Sequence, residues 1–537
     1  MSNLLYFLYG LWFIRTLKYV LFWVYLWQLK EYHIGRFLDH FNTEKGKKLL
    51  LNPLLDFKII FLLFFISTND IFISFLVFVY LAETIIFLRQ IYLKAIKKPV
   101  RTAKSLFLTG VSVSVVILFL IWSAKKNPAW ILGFDIFLPV IISLIVLLFQ
   151  PVAVFLRKKT LKKAGEKIKQ FPGLKVIAIT GSYGKTSTKE FLTTILSKKY
   201  KVLSTSKHQN AEIGIAKCIL NDLNEKHQIF IAEVGAYNKG KVKEVCEILK
   251  PKIGIVTGVN EQHLSLFGSL ENLLTGEGGR ELAQFLEQNG LLVVNGDNKY
   301  CLNLIKKFNG KEKIYSESNR ALNADIWAES ITVRRNYVSF IAKNKAGELA
   351  DFKANVLGKQ NVQNLLGAVL VAKELGMSFG EISDAMTHIK QEQAGMVLKQ
   401  GKHGIDIIDS SYSANPDGVF ADLDYLNIFG NPSTGSGQAK KIIVMPCLIE
   451  LGEKSKIIHE QIGKKIGKVC GMAIITSKDD FEQLKRGVME SGMKESNILF
   501  LEKPAEIYSV ITLFCKSGDA ILLEGRVPNK LIELLLG

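Results

Sequence analysis

Cysteine is sparse and unpaired in this sequence. Its six residues (Cys218, Cys246, Cys301, Cys447, Cys470 and Cys515) form no C-x-x-C and no paired spacing. That excludes a zinc ribbon and a disulfide framework, and it fits a reducing compartment. Any RNA- or DNA-binding signature is also missing, so nucleic acid is not the partner that explains a net charge of +20. The first apolar run lacks the small-residue cleavage pattern of a signal peptide.

Long apolar runs are what the chain has instead. Up to about Phe155 it is dominated by Leu, Ile, Phe and Val; beyond that, strand-like and helix-like segments of ordinary polarity alternate. Ser105–Trp122 and Ile131–Phe155 are each long enough to cross roughly 30 Å of hydrocarbon, and "SAKKNPAW" between them makes a hairpin. Leu49–Ser67 and Ile71–Leu88 read as a second hairpin turning at "TND", with Asp56 and Lys58 weakening its first arm. Leu4–Leu29 carries Arg15 and Lys18 and either spans or lies in the interface. The expectation is a membrane region of four or five helices over 1–156, then a basic linker over 157–172.

The basic residues sit where such a region needs them. Arg89–Lys104 and Arg157–Lys169 flank apolar runs, as cytoplasmic loops do, and anionic lipid attracts them. An even number of spans between the two places both in the cytoplasm, with everything from Arg157 onward. This reads as a multi-pass cell-membrane protein whose catalytic part is cytoplasmic. "WQLKEYHIGRF" at the end of the first run reads as an interfacial anchor, and "NPSTGSGQAK" (431–440) as a flexible surface connection.

Chemistry enters at Val176. "KVIAIT" is a β-branched run that predicts a buried parallel strand, "GSYGKTST" a glycine turn, and "KEFLTTIL" the start of a helix. The N–H groups of such a turn cradle phosphate oxygens. Gly181, Gly184, Lys185, Thr186 and Ser187 are the candidate nucleotide ligands, with Lys185 reaching the β/γ-phosphates and the Thr186 hydroxyl holding Mg²⁺. The full phosphate-loop pattern needs a glycine at 179, where this chain has Ile179. "QIFIAEVGA" predicts a second buried strand ending at Glu233, a metal-binding carboxylate. "PKIGIVTGVNEQHLSLFGS" predicts a third, followed by His263 in a loop. Ligands of open α/β sheets bind beyond the carboxyl ends of the strands, and Lys185, Thr186, Glu233 and His263 all fall on that edge. Paired signature loops of a transporter ATPase are absent.

With "TGSYGKTSTKE", "HQNAEIG", "AEVGA", "NEQHLSLFGS", "VVNGDN", "LGKQNVQNLLGAV", "DSSYSANPDG" and "IELGEKSKIIHEQIG" in this order, the chain resembles the Mur ligase family over roughly Val176 to Leu536. With the α-helical transmembrane region read from the apolar runs, the resemblance implies a multi-domain architecture: an α/β phosphate-loop ATPase domain (173–391) and a Rossmann-like α/β domain (392–537) closing over the nucleotide. It implies ATP and Mg²⁺ as cofactors, and an amide ligase that activates a muramoyl-peptide carboxylate as an acyl phosphate. The amine is an amino acid or dipeptide, D-alanyl-D-alanine foremost. By the same resemblance Lys185, His263 and Glu277 are catalytic, and Thr186, Glu233 and His263 form the metal site. Asn361 contacts adenine, Asp409 and Tyr412 contact the nucleotide, and Asn210, Asn415 and Arg526 contact substrate.

The chain departs from the family pattern at defined places. Where many members carry a lysine used as its carbamate, "LLTGEGGREL" offers Glu277, either a direct carboxylate or a surface acid. Met396 stands where an arginine is expected. Ser410 stands where an aspartate is expected, leaving Asp409 one residue early. "LLEGRVPNKL" retains only Arg526 of a basic C-terminal segment. The membrane region takes the place of a domain that binds the UDP end of the substrate in soluble relatives, which points to a lipid-linked acceptor at the cytoplasmic leaflet. A ligase for another acceptor or amine is a second expectation, and a non-catalytic ATP-binding membrane scaffold a third.

Overall fold

Alternation in "KVIAIT" decides the centre of the molecule. In the computed structural model Lys175–Thr180 is strand β1, and its side chains point alternately to two cores. Ile177 and Ile179 pack with Phe191, Leu192 and Ile195 of the helix Lys185–Leu196. Val176 and Ala178 pack on the other face with Ile215, Ile219 and Cys246. A strand buried on both faces is apolar throughout, as parallel sheets require. The structure describes residues 2–537 except 51, 65–69, 94, 125, 207–208, 237, 262, 319–322, 413, 431–438 and 450. The connection expected at 431–440 therefore lies almost wholly outside the described residues, as does most of the turn expected near 68.

The chain divides into two compact units, Met1–Arg157 and Lys158–Gly537. In the second, β1 is joined by β2 (Val202–Ser204), β3 (Ile229–Glu233), β4 (Ile253–Val256), β5 (Leu291–Asn295) and β6 (Lys311–Ser316). β7 (Ile326–Val333), β8 (Val338–Asn344) and β9 (Leu349–Ala354) complete a nine-stranded sheet in the order β2-β3-β1-β4-β5-β6-β7-β8-β9. It is parallel up to β7, then antiparallel. A six-stranded sheet follows: β10 (Val397–Gln400), β11 (Asp406–Ser410), β12 (Lys441–Met445), β13 (Met472–Ile475), β14 (Ile498–Phe500) and β15 (Ala520–Glu524). Its order is β10-β11-β15-β12-β13-β14, with only the edge strand β10 antiparallel.

The first unit consists of helices α1 (Ser2–Leu29), α2 (Ile34–Asp39), α3 (Glu44–Leu50), α4 (Pro53–Phe64), α5 (Asp70–Tyr92), α6 (Ala103–Ser123) and α7 (Ala129–Leu148). A further helix, Gln150–Ile168, begins there and runs into the second unit. Among the described residues, four helical stretches, beginning at Asn3, Phe72, Ala103 and Ala129, are long and apolar enough to cross a membrane. The described part of α4, 12 residues, is shorter than a span needs.

Polarity in this unit is inverted relative to a water-soluble bundle. Phe78, Leu118, Ile121, Leu144 and Leu148 are 60–73% exposed. Arg15, Lys58, Glu83 and Asp135, from α1, α4, α5 and α7, are buried together. Arg15 Nε donates to Glu83 at 3.1 Å and its guanidinium also to Asp135; Lys58 Nζ reaches Glu83 at 2.6 Å and Asp135 at 2.7 Å. The Tyr80 hydroxyl adds a 3.3 Å bond to Asp135. Arg15 and Lys58, flaws in apolar runs when read alone, are half of a closed set of four charges. At one end of the bundle the Gln28 amide exchanges two hydrogen bonds with the backbone of Val100, and Gln150 Nε2 donates to Tyr32 O. The C-terminal end of α1, the basic 95–102 segment and the start of Gln150–Ile168 thus share that end.

Candidate active site

The loop between β1 and the helix Lys185–Leu196 is shaped by two glycines. Gly181 (φ +139°) and Gly184 (φ +75°) occupy backbone regions that side chains disfavour. A Cβ at 181 would lie 2.3 Å from Thr257 Oγ1, and one at 184 would lie 2.4 Å from Asn364 Oδ1. Tyr183 packs its ring on Gly258, its hydroxyl accepts from Asn298 Nδ2 at 3.2 Å, and its carbonyl accepts from the Thr257 hydroxyl. The loop is therefore held on the carboxyl edge of β1 and β4, where the Ser182 N–H also donates to Gly258 O at 2.7 Å. Lys185 Nζ donates to the carbonyls of Gly181 and Ser182 across the loop.

Beside it, β3 delivers Glu233, 3% exposed. Its Oε1 accepts from Thr186 Oγ1 at 3.0 Å and from Asn210 Nδ2 at 3.2 Å. Three residues named from the sequence, Thr186, Glu233 and Asn210, thus meet at one oxygen. His263 takes a different partner: its Nδ1 lies 2.9 Å from Glu277 Oε1, and Ser182 Oγ donates to Glu277 Oε2 at 2.9 Å. Glu277 is 1% exposed, so the surface-acid reading is corrected. Burial opposes its charge, yet His263, Lys185 and the Ser182 hydroxyl together hold its pKa below the ordinary carboxylate value.

The remaining candidates have structural partners of their own. Asn361, 2% exposed, donates to Leu357 O at 2.7 Å and accepts from Asn364 Nδ2 at 3.2 Å. Its link to the loop runs through Asn364, which packs on Gly184. Ser187 Oγ donates to Ala394 O at 3.3 Å. Asn415 caps the helix Pro416–Leu426, accepting from Gly418 N at 3.0 Å, a bond that accounts for an asparagine there without a substrate. Asp409 is tied to Lys399 at 2.6 Å and to Ser411 Oγ at 2.5 Å; burial raises its pKa, but these partners bring it below the usual value. Tyr412 is 56% exposed and feels the charges of both Glu233 and Arg526, so its loop faces the site.

Two departures from the family pattern acquire reasons. Met396 is 2% exposed and packs with Leu357, Ile408 and Val419, a core position where a charged group would be desolvated. Ser410 donates to Asp422 Oδ2 at 2.5 Å, and Asp422 accepts from Gln360 Nε2 at 3.1 Å.

Sequence reasoning missed Ser182, Lys189 and the pair Asn260–Asp417 (2.7 Å) that links the two sheets' loops. Ser182 and Lys189 lie inside the loop motif, and their spacing from Gly184 was the available signal. Asn260–Asp417 joins positions far apart in the chain and left none.

Residues 179–372 match the Mur ligase middle domain. The chain carries a Mur ligase middle domain. The UDP-N-acetylmuramoyl-tripeptide–D-alanyl-D-alanine ligase of Escherichia coli K12 is 27% identical over 310 residues, covering 58% of this chain and 66% of that protein. The Bacillus subtilis ligase of the same name is 24% identical over 370 residues, covering 68% and 75%. The Borreliella burgdorferi one is 31% identical over 325 residues, covering 60% and 63%. The chain thus spans roughly two thirds of the length of these relatives. Among solved structures, MurF from Acinetobacter baumannii superposes with TM-score 0.61 at 22% identity, covering 70% of this chain and 79% of that one. MurF from Thermotoga maritima in complex with ADP also gives 0.61, at 23% identity, covering 70% and 83%. These two likenesses establish the α/β fold. The family match begins at residue 179, beyond the helical unit.

Proposed function

We propose that this chain is a membrane-embedded, ATP-dependent amide ligase. It joins D-alanyl-D-alanine or a similar amine to a muramoyl-peptide carboxylate through an acyl phosphate. The observation that carries the reading is the meeting of Lys185, Thr186 and Glu233 with the His263–Glu277 pair at one sheet edge.

The residues fit the cofactors the family implies. The glycine turn leaves no room for a Cβ, and hard oxygens at Thr186 and Glu233 suit Mg²⁺, which takes its other ligands from phosphate and water. ATP with Mg²⁺ supplies the phosphoryl group that activates the carboxylate. The chain's own part is positional and electrostatic. Loop N–H groups and Lys185 hold phosphate oxygens, and Glu277 fixes the orientation of the His263 ring as second-shell carboxylates do. Asn210, bonded to Glu233, brings the loop before the helix Glu212–Asp222 to the same point. Tyr412, carried by the loop after β11, would contact the nucleotide, and Arg526, after β15 and close enough to influence Tyr412, the substrate.

The inverted polarity of the helical unit supports a bilayer setting, because intramembrane charges face the bundle interior and pair there. The positively charged end with Gln28, Val100 and Gln150 is cytoplasmic by the same charge rule that orients basic loops, and anionic lipid surrounds it. The apolar helical unit precedes the middle-domain match, which begins at residue 179, and a lipid-linked muramoyl peptide presented at that leaflet is the acceptor proposed.

The test is phosphate release from ATP by full-length protein in detergent, with D-alanyl-D-alanine and either UDP-linked or lipid-linked muramoyl tripeptide. Release that needs both substrates supports a ligase, and preference for the lipid-linked form supports the role given to the helices. Efficient use of the UDP-linked form alone refutes the lipid-linked acceptor. No release with either, while ATP binds and Lys185→Ala abolishes that binding, refutes the substrate pair.

A further inference from the structure

We infer that Lys189 is a positioning residue that orients the Glu233 carboxylate toward the nucleotide loop; this rests on the nucleotide- and metal-binding part of the reading above. Lys189 lies one helical turn beyond Lys185 on the helix Lys185–Leu196, so the two lysines share a face. Their surroundings differ entirely. Lys185 reaches across the loop, whereas Lys189 is 0% exposed beneath it.

A fully buried ammonium is retained only where its donors are used. Those of Lys189 are directed at Thr205 O (2.8 Å), Glu190 Oε1 (3.2 Å) and Glu233 Oε2 (3.5 Å). Thr205 closes the circuit, since its Oγ1 accepts from the backbone N–H of Glu233 at 3.1 Å. One oxygen of Glu233 thus faces Lys189 and the other faces Thr186 and Asn210. Among the described residues Lys189 is the only cation within ion-pair distance of Glu233. With Lys189 behind it, the carboxylate has one rotation in which every contact is met, and that rotation points Oε1 at the Thr186 hydroxyl. Without Lys189 the carboxylate is free to turn, and the oxygen offered to Mg²⁺ is no longer fixed.

A packing role alone makes a different prediction. If Lys189 only fills space beneath β3, methionine, of similar length and without charge, replaces it with no effect on the metal. The experiment compares wild type, Lys189→Met and Lys189→Arg in the full-length protein. ATP affinity is measured by calorimetry with Mg²⁺ and with EDTA, beside the melting temperature of each variant. Lys189→Met is expected to weaken Mg²⁺-dependent ATP binding by about tenfold, the lower end of second-shell effects on metal sites. Its metal-free ATP affinity stays that of wild type, and Lys189→Arg recovers most of the loss. Equal weakening with Mg²⁺ and EDTA, or no weakening in a folded Lys189→Met protein, overturns the inference. If that variant does not fold, Lys189→Arg against Lys189→Gln reads the same difference. Wild type that binds ATP equally with and without Mg²⁺ overturns both this inference and the metal role of Glu233. Failure of wild type to ligate either acceptor, with Mg²⁺-dependent binding intact, counts against the proposed reaction alone.

Discussion

Removing one member of the buried charge set in the helical unit is the perturbation with the clearest expected size. Lys58 reaches Glu83 at 2.6 Å and Asp135 at 2.7 Å, and both carboxylates also hold Arg15. Lys58→Met leaves two carboxylates facing one guanidinium in an interior that water does not reach. Breaking a buried ion pair from one side costs about 3–5 kcal/mol, because the abandoned charge stays desolvated. For a unit of this size each kcal/mol moves the midpoint by roughly 2–4 °C, which places the expected drop at roughly 6–20 °C. The double variant Lys58→Met, Asp135→Leu leaves Arg15 with Glu83 alone, again neutral, and is expected to regain most of the loss. Tryptophan fluorescence during thermal unfolding in detergent reads the right unit, since Trp12, Trp23, Trp27, Trp122 and Trp130 all lie in it. A single variant as stable as wild type, or a double variant whose loss is the sum of the two singles, refutes the reasoning.

Three further outcomes are expected. Glu277→Gln should lower turnover by about 10–100-fold with ATP binding retained, as loss of a second-shell carboxylate does; unchanged phosphate release would contradict its role. The pKa of Glu277 is depressed, so its contribution to stability is present above the ordinary carboxylate value. It is lost as pH falls through the lower folded value, a loss that acid titration of wild type shows and of the variant does not. Asp422 and Glu524 meet in the interior at 5% and 1% exposure, and burial raises the pKa of both, Glu524 well above the ordinary value. The sign is therefore opposite: the folded state holds protons that the unfolded state releases, and stability falls as pH rises above about 4–5. Glu524→Gln should flatten that decline in urea titrations between acid and neutral pH; an unchanged slope would place the protons elsewhere.

Legibility in the sequence followed the range of the interactions. The strand–loop–helix at 175–196 was readable because each of its causes lies within a few residues: a β-branched run, glycines where the backbone turns, and a lysine and threonine at the helix start. Glu233 and His263 were placed on the correct edge by their position after apolar runs. Which of them would be neighbours was not readable. Glu233 meets Thr186 and Asn210, while His263 meets Glu277, a residue the chain alone left between a functional carboxylate and a surface acid. Met396 and Ser410 looked like losses at a site, and they are a core side chain and a partner of Asp422.

The sequence by itself determined the division into an apolar helical part and an α/β part, the phosphate loop, and the resemblance to Mur ligases. Those rest on composition and on local order, which survive without a fold. Only the tertiary structure decided the pairs: Arg15 and Lys58 with Glu83 and Asp135, Glu277 with His263 and Ser182, Lys189 with Glu233. Such pairs exist because a charge withdrawn from water must find its partner wherever packing brings one, and nothing in a chain's local order records which distant residue that will be.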